Sequence, residues 1–320
     1  MTSLRVVVLA GLTLAAGAAA AQGYPAKPVR VVVPFPAGGG IDTVARLLSP
    51  RLSEMIAQPI VIDNRVGASG TIGTDAVAKA APDGYTLLAT FASHALNASL
   101  YSKLPYDTER DFAPITLIAT VPNILVITPS LPVKSVKELI ALAKRRPGEL
   151  LYASIGPGTP AHLSAELFNT MAGVKMTHVP YKGAAASIVA LISGESQLTF
   201  TTVLIALPHV QSGRLRALGV GSLKRSAVMR DVPTIDEAGL KGYESIAWYG
   251  LLAPAKTPAA ILDLWQRDTV KALQIPEVRD RLLAQGAEPV GSTPAQFAAV
   301  IGDDMRKWGR IVRETGAKAE

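Results

Sequence analysis

Short apolar runs alternate along this chain with helical patterns, and this alternation constrains the fold more than any other feature. Residues 29–33 are β-branched apart from Arg30, which is typical of a buried strand. The apolar residues of the next segment have the spacing of one helical face: Val44, Leu47, Leu48, Leu52, Met55 and Ile56. Such alternation predicts an α/β fold.

The same pattern extends to the C-terminus, with apolar runs read as strands and amphipathic segments read as helices. Further strands are predicted at 60–62, 85–90, 150–154, 177–179, 197–202, 215–220 and 246–253. Further helices are predicted at 71–81, 135–146, 162–171, 184–192, 258–272, 276–285 and 294–315. Ser135 and Glu138 have the spacing of a capping box. Residues 111–128 are predicted to be extended and broken by Pro114 and Pro122.

Two extended segments, 119–128 and 245–253, resemble each other, since each is an apolar strand followed by a proline-containing loop. We interpret them as two crossings between two lobes. Lobe 1 is then discontinuous and covers 22–121 plus 249–320, whereas lobe 2 covers 122–248. A chain of 320 residues suits two lobes better than one minimal domain.

The first 21 residues differ in kind from the rest of the chain. Arg5 precedes an uncharged apolar run over 6–21 that ends in small residues. This pattern predicts a secretory signal at 1–21, cleaved near Ala21, with an uncleaved anchor as the alternative. The chain has no cysteine, which excludes disulfides and a lipoprotein anchor.

The net charge of +7 comes from Lys and Arg residues that are scattered, apart from a short run at 144–146. Aromatic residues make up only 5% of the chain. A nucleic-acid surface requires clustered basic residues interleaved with aromatic ones, so nucleic acid is not an expected partner. A mild positive field would help to gather anionic ligands.

Three glycine-rich loops, at 34–42, 67–73 and 154–160, each run directly into a predicted helix. Such loops present backbone N–H groups at the positive end of a helix, where an anion can bind. The alternative is an ordinary turn or helix cap. The first loop is neither a P-loop nor a dinucleotide fingerprint, and we expect Asp42 to pair with backbone N–H groups at the helix start.

The third loop also carries polar side chains with several possible roles. His162 is a hydrogen-bond donor to a carboxylate, a cap or packing residue, or a catalytic base. A secreted serine hydrolase using Ser154 or Ser69 with His162 is the competing class of function, although no Gly-x-Ser-x-Gly motif is present.

Other candidate residues have equally open roles. Lys182 either meets an anion or is solvated, and Trp248 either walls a cleft or lies in the core. The four histidines, His94, His162, His178 and His209, lack metal-ligand spacing. We therefore expect no metal.

Several motifs together are specific enough to indicate a family. They are Tyr24-Pro25, VPFPAGGGID at 33–42, NRVGA at 64–68, AAPDGYTL at 80–87, LPYD at 104–107, DFAP at 111–114, HVPYKG at 178–183, DVPT at 231–234 and QGA at 285–287. In this order and spacing, the chain from Tyr24 onward resembles the Bug (TctC-like) periplasmic substrate-binding proteins of tripartite tricarboxylate transporters.

The resemblance implies a type II periplasmic-binding-protein fold, in which two α/β lobes close on a ligand without cofactor or catalysis. In that family, backbone groups and ordered waters of the loops matching 35–40 and 67–70 hold a ligand carboxylate. Lobe 2 adds the loops at 154–162, around 181–184 and around 201. The expected ligand-binding residues are Phe35, Ala37, Gly38, Gly39, Gly67, Ala68, Ser69, Gly70, Ser93, Ser154, Gly158, Thr159, His162, Lys182, Gly183 and Thr201.

With the predicted secretory signal, we expect an exported monomer that captures a di- or tricarboxylate or an aromatic acid. It would deliver this ligand to a membrane permease of one large and one small subunit. Docking on a signalling partner is an alternative that the sequence leaves open.

Two departures from the family pattern bear on the ligand. Phe200-Thr201 stands where the family often has Phe-Asp, which weakens the case for an amino-acid ligand. Gly156-Pro157-Gly158-Thr159 stands where the family often has Gly-Asn-Gly-Thr, and Pro157 removes one N–H donor.

Overall fold

The computed structural model describes residues 23–315, with side chains described to residue 313. The predicted signal at 1–21 lies outside the described residues. The strands are β1 Val29–Val33, β2 Ile60–Asn64, β3 Thr86–Phe91, β4 Phe112–Ile127, β5 Leu151–Ser154, β6 Thr177–Pro180, β7 Leu198–Thr202, β8 Arg216–Val220, β9 Ile246–Pro254 and β10 Glu288–Pro289. The α-helices are α1 Gly40–Ile56, α2 Thr71–Ala78, α3 Ser93–Leu100, α4 Val136–Arg145, α5 Pro160–Ala172, α6 Ala184–Ser193, α7 Val203–Gln211, α8 Ala259–Gln274, α9 Pro276–Ala284 and α10 Pro294–Thr315.

The strands form one curled sheet in the order β2-β1-β3-β9-β4-β7-β5-β6, with β8 and β10 also paired to β4. The outer pairs β1–β2, β1–β3, β5–β6 and β5–β7 are parallel. The central strands β4 and β9 run antiparallel to their neighbours. Two parallel halves therefore flank an antiparallel centre, which confirms the expected α/β class with two lobes.

Strand β4 passes from one half of the sheet to the other. Its residues 112–122 pair with β9, and its residues 123–127 pair with β7 and β8. The expected break at Pro122 was wrong, because Pro122 pairs with Ile246 inside a continuous strand. Irregularity appears instead as two register shifts, one at Ile115, between Pro114 and Thr116, and one at Ile118, between Leu117 and Ala119. A proline lacks one donor but keeps its carbonyl, so a strand can continue through it.

Two helices, α3 and α7, escaped prediction. Helix α3 is only eight residues long and buries polar as well as apolar residues from Ser93 to Asn97, so its polar residues do not mark an exposed face. Helix α7 contains Pro208 and follows β7 without a polar break. The predicted cap of α4 at Ser135 is confirmed, because the Glu138 N–H donates to Ser135 Oγ at 3.2 Å, whereas the Glu138 carboxylate accepts the N–H of Lys134 and not that of Ser135.

The core packs the helices against both faces of the sheet. Trp248 lies in this core, 3% exposed, and its Nε1 donates to Asp304 Oδ2 at 2.6 Å. Burial raises the pKa of Asp304 above its usual range. The core interpretation of Trp248 is therefore confirmed. Within residues 23–315, no helix combines the length and apolar character that crossing a membrane requires.

Candidate ligand-binding site

A cavity of about 680 Å³, including the solvent at its mouth, lies between the two halves of the sheet. Its lining comes from the carboxyl ends of strands, the starts of helices and both crossing strands. The lining residues are Phe35, Pro36, Gly39, Gly40, Ile41, Phe91, Asn123, Ile155, Pro160, Ala161, Gly183, Ala184, Ser187, Thr199, Phe200, Thr201, Thr202, Ile205, Ala247 and Tyr249.

Four helix starts meet at this cavity, those of α1, α5, α6 and α7. Their N-cap residues are Gly39, Thr159, Gly183 and Thr202, and none of these side chains caps its helix. The first N–H groups of a helix have no intrahelical acceptor, and they carry the positive end of the helix dipole. These helix starts therefore favour an anion without a basic side chain, and the offsetting negative charge at one of them is that of Asp42 in the first turn of α1.

The loop between β1 and α1 is held by Asp42, which is 2% exposed. The Gly38 N–H and Arg46 Nε donate to Oδ2, and Asn64 Nδ2 donates to Oδ1, each at 2.9 Å. Burial raises the pKa of Asp42, but these hydrogen bonds outweigh it and leave the pKa below its usual range. Asp42 thus pairs with a backbone N–H at the helix start, as predicted.

Tyr249 on β9 places its hydroxyl at the start of α1. A Cβ atom added to Gly40 would lie 2.0 Å from this hydroxyl, so glycine permits the close approach. Burial raises the pKa of Tyr249 to about 12, opposed by a smaller effect of the Thr202 hydroxyl. Tyr249 is therefore a neutral O–H group at neutral pH. No motif in the sequence indicated that Tyr249 lies at the cavity.

The loop at 67–70 lies behind the cavity wall. A Cβ atom added to Gly70 would lie 2.8 Å from the Phe35 ring, so this loop supports Phe35. Ser69 Oγ donates to the Pro157 carbonyl at 2.7 Å and joins the two halves of the molecule. Ser69 has a positive φ of 51°, which orients this loop toward the opposite half.

Buried hydrogen bonds fix the segment between β5 and α5. The Gly158 N–H donates to His162 Nδ1 at 3.1 Å, and Thr159 Oγ1 donates to the Gly156 carbonyl at 2.7 Å. Burial lowers the pKa of His162 to about 4. His162 therefore stays neutral and accepts a backbone hydrogen bond, which is a capping role.

The hydrolase alternative assigned Ser154 the wrong partner. Ser154 Oγ lies 2.6 Å from His178 Nε2, and Ser154 is fully buried. Burial, and then the neighbouring His162, lower the pKa of His178 to about 4. The cavity lining does not include Ser154, so this serine has no access to a substrate there.

The sixteen predicted ligand-binding residues fall into three groups. Phe35, Gly39, Gly183 and Thr201 line the cavity together. Eight residues lie outside the lining and are buried or partly buried: Gly67, Ser69, Gly70, Ser93, Ser154, Gly158, Thr159 and His162. The other four lie outside the lining and are exposed: Ala37, Gly38, Ala68 and Lys182. Contact of any of the sixteen with a ligand stays a prediction.

Sequence reasoning missed most of the remaining lining. Gly40, Ala184 and Thr202 could have been found, since each is at or beside a helix start. Phe91 and Asn123 had no local signal. In the part of the chain that the structure describes, no three side chains among His, Asp and Glu gather in a way that could hold a metal ion.

The two-lobe fold is that of a periplasmic binding protein, and solved structures of that class match nearly the whole chain. A model of the tripartite tricarboxylate transporter family receptor (TctC) matches residues 44–317. The chain belongs to this family, which confirms the resemblance.

Individual relatives show how close the similarity is. BugT of Bordetella pertussis is 40% identical over 99% of this chain and 99% of its own length. The structure of Rpa4515 of R. palustris with adipate has a TM-score of 0.89 and 40% identity, covering 92% of this chain and 99% of that one. MatC from Rhodopseudomonas palustris with bound malate has a TM-score of 0.86 and 34% identity, covering 90% and 100%.

Proposed function

We propose that this protein is an exported, non-catalytic receptor that captures a small carboxylate for a tripartite tricarboxylate-type transporter. The ligand is a di- or tricarboxylate or an aromatic acid. The observation that carries the proposal is the meeting of four uncapped helix starts at one cavity. Family membership and the carboxylates bound by two relatives support it.

The energetics of capture are adequate without a basic side chain. Each helix start stabilises an anion by about 0.3–1 kcal/mol, and by up to ~2 kcal/mol when partly buried. A hydrogen bond to a charged group contributes about 1.5–3 kcal/mol. Several such contacts together reach the roughly −8 kcal/mol of a micromolar complex.

We place the mature protein in the periplasm as a monomer, with lobe 1 at 22–121 plus 249–320 and lobe 2 at 122–248. The lobes close around β4 and β9, because these two strands connect the halves of the sheet. The loaded form then delivers its ligand to a permease with a large and a small subunit.

A thermal-shift screen of small carboxylates tests capture. A ligand at 100 times its dissociation constant stabilises the folded protein by about 2.7 kcal/mol. We expect at least one carboxylate to raise the unfolding midpoint at millimolar concentration. Matched amides of the same acids are the control and are expected to have no effect. If no carboxylate shifts the midpoint, the proposal is wrong.

A further inference from the structure

We propose that the site selects carboxylates with an unsubstituted hydrocarbon body and rejects those carrying an ammonium group. The inference rests on the proposed function, because it names the ligand class of the same cavity. Its basis is the chemistry of the lining, in which few polar side-chain groups remain free for a ligand.

Charge is the first part of the argument. Among the described residues that line the cavity, none is Asp, Glu, Lys, Arg or His. An ammonium group would therefore lose its hydration without gaining a carboxylate partner, which is costly. The positive ends of the four helices add a repulsion, since the field that favours a carboxylate opposes a cation.

Hydrogen-bond donors are the second part. Asn123 Nδ2 uses its two hydrogens on Ser164 Oγ and Ser245 Oγ, at 3.2 and 2.7 Å. Thr199 Oγ1 donates to the Ala153 carbonyl at 2.7 Å. These two polar side chains are therefore held by the protein itself and lack a hydrogen for the ligand.

Ser187 is engaged in the same way, because its Oγ donates to the Ala184 carbonyl at 3.2 Å. The hydroxyls that remain in the lining are those of Tyr249, Thr201 and Thr202. Thr202 Oγ1 is buried without a hydrogen-bond partner of normal geometry among the described residues. These three hydroxyls and the helix-start N–H groups provide donors for carboxylate oxygens.

Apolar surface is the third part of the argument, because the rest of the lining consists mainly of apolar side chains. Phe35 and Phe91 pack with ring centroids 4.3 Å apart, and each is at least nine-tenths buried. Ile155 and Ile205 complete this apolar surface. A hydrocarbon body is stabilised there, whereas a polar substituent exchanges its hydration for apolar contact.

Titration calorimetry of the mature protein with matched ligand series tests this selectivity. The series are succinate, malate and aspartate; adipate, 2-hydroxyadipate and 2-aminoadipate; and phenylacetate, mandelate and phenylglycine. Within any series that binds, the unsubstituted acid is expected to bind about 10-fold tighter than its hydroxy analogue and about 100-fold tighter than its amino analogue.

An amino analogue that binds as tightly as its parent acid overturns the inference, as does a hydroxy analogue that binds more tightly. In either case a carboxylate still binds, so the proposed function survives. If no ligand of any series binds and the wider carboxylate screen also shows no shift of the unfolding midpoint, both proposals are wrong. If only the wider screen yields a ligand, that ligand is titrated beside its amino analogue, and equal affinities of the two overturn the inference.

A charge variant gives a second measurement. Thr201→Asp puts a carboxylate in the lining and is expected to lower the affinity for the unsubstituted acid by about 10-fold or more. The ratio of its affinity to that of the amino analogue is expected to decrease. Thr170→Asp is the matched control, because Thr170 is exposed and outside the lining. An unchanged preference in Thr201→Asp contradicts the inference, and the wild-type series decides if this variant does not fold.

Discussion

At the scale of single residues, Tyr249 joins the two parts of the cavity. It belongs to the crossing strand β9, its hydroxyl touches the start of α1, and Thr202 at the start of α7 lies beside it. A buried phenol with a pKa of about 12 keeps its proton throughout the physiological range. Such a group donates a hydrogen bond to an anion without adding charge.

Replacing this hydroxyl is expected to weaken ligand binding. Tyr249→Phe keeps the ring but removes one donor to a charged group, which contributes about 1.5–3 kcal/mol, or roughly 10- to 150-fold in affinity. Calorimetry with the best ligand from the screen measures the effect. Tyr181→Phe is the control, because the Tyr181 hydroxyl lies outside the lining and donates to Glu195. Equal affinities for the two variants would remove Tyr249 from the binding site.

At the scale of elements, the segment between β5 and α5 depends on neutral histidines. His162 and His178 stack with centroids 4.3 Å apart, and His162 accepts the Gly158 N–H. Burial lowers the pKa of both to about 4, below the value of 6.5 for an exposed histidine. This segment leads to the start of α5 at the cavity, so its order affects the lining.

These pKa values predict a loss of stability in acid. Between about pH 6.5 and pH 4 the unfolded chain binds a proton at His162 that the folded chain does not. The stability that the neutral histidine contributes is therefore fully present above pH 6.5. The free energy of unfolding falls as the pH decreases from 6.5 toward 4, by up to about 1.4 kcal/mol per pH unit for each such histidine. Urea unfolding at several pH values measures the slope.

The variant His162→Asn isolates the contribution of His162 to the pH dependence of the free energy of unfolding. Asparagine can offer an acceptor near the position of Nδ1 but does not titrate, so we expect a shallower dependence on pH. His209→Asn is the control, because His209 is only partly buried and lies outside the segment between β5 and α5. A slope that is as steep in His162→Asn as in the wild type would show that His162 does not contribute.

At the scale of the whole molecule, the two halves touch across the cavity. Ser69 Oγ donates to the Pro157 carbonyl, and a Cβ atom added to Gly183 would lie 2.9 Å from Pro36 Cγ. A Cβ atom added to Gly158 would lie 2.3 Å from Leu100 Cδ1. The structure thus has a closed cleft, with glycines where the opposite half comes nearest.

Removing the Ser69 hydrogen bond is expected to disfavour closure. Ser69→Ala loses a neutral hydrogen bond of about 0.5–1.5 kcal/mol, which lowers ligand affinity roughly 2- to 10-fold. Calorimetry measures the affinity, and small-angle scattering of the unliganded protein measures opening. Ser193→Ala is the control, because Ser193 Oγ donates to Ala190 within its own helix. Unchanged affinity and unchanged scattering would contradict a role in closure.

The sequence by itself determined most elements and the places where glycine-rich loops meet helices. The strand 29–33 and the helix start after Gly39 follow from β-branched composition and from glycine, which act over a few residues. Helix α3 was missed because its polar residues are buried together with its apolar ones, and helix α7 was missed because it contains Pro208 and follows β7 without a polar break.

Only the tertiary structure decided which side chains share the cavity. Asn123 and Tyr249 come from two crossing strands more than a hundred residues apart, and nothing local to either residue marks the other. The pairing of Ser154 with His178, and not with His162, likewise follows from the register of β5 on β6. Local patterns fix elements because backbone geometry is local, whereas a binding site depends on contacts between distant segments that packing alone specifies.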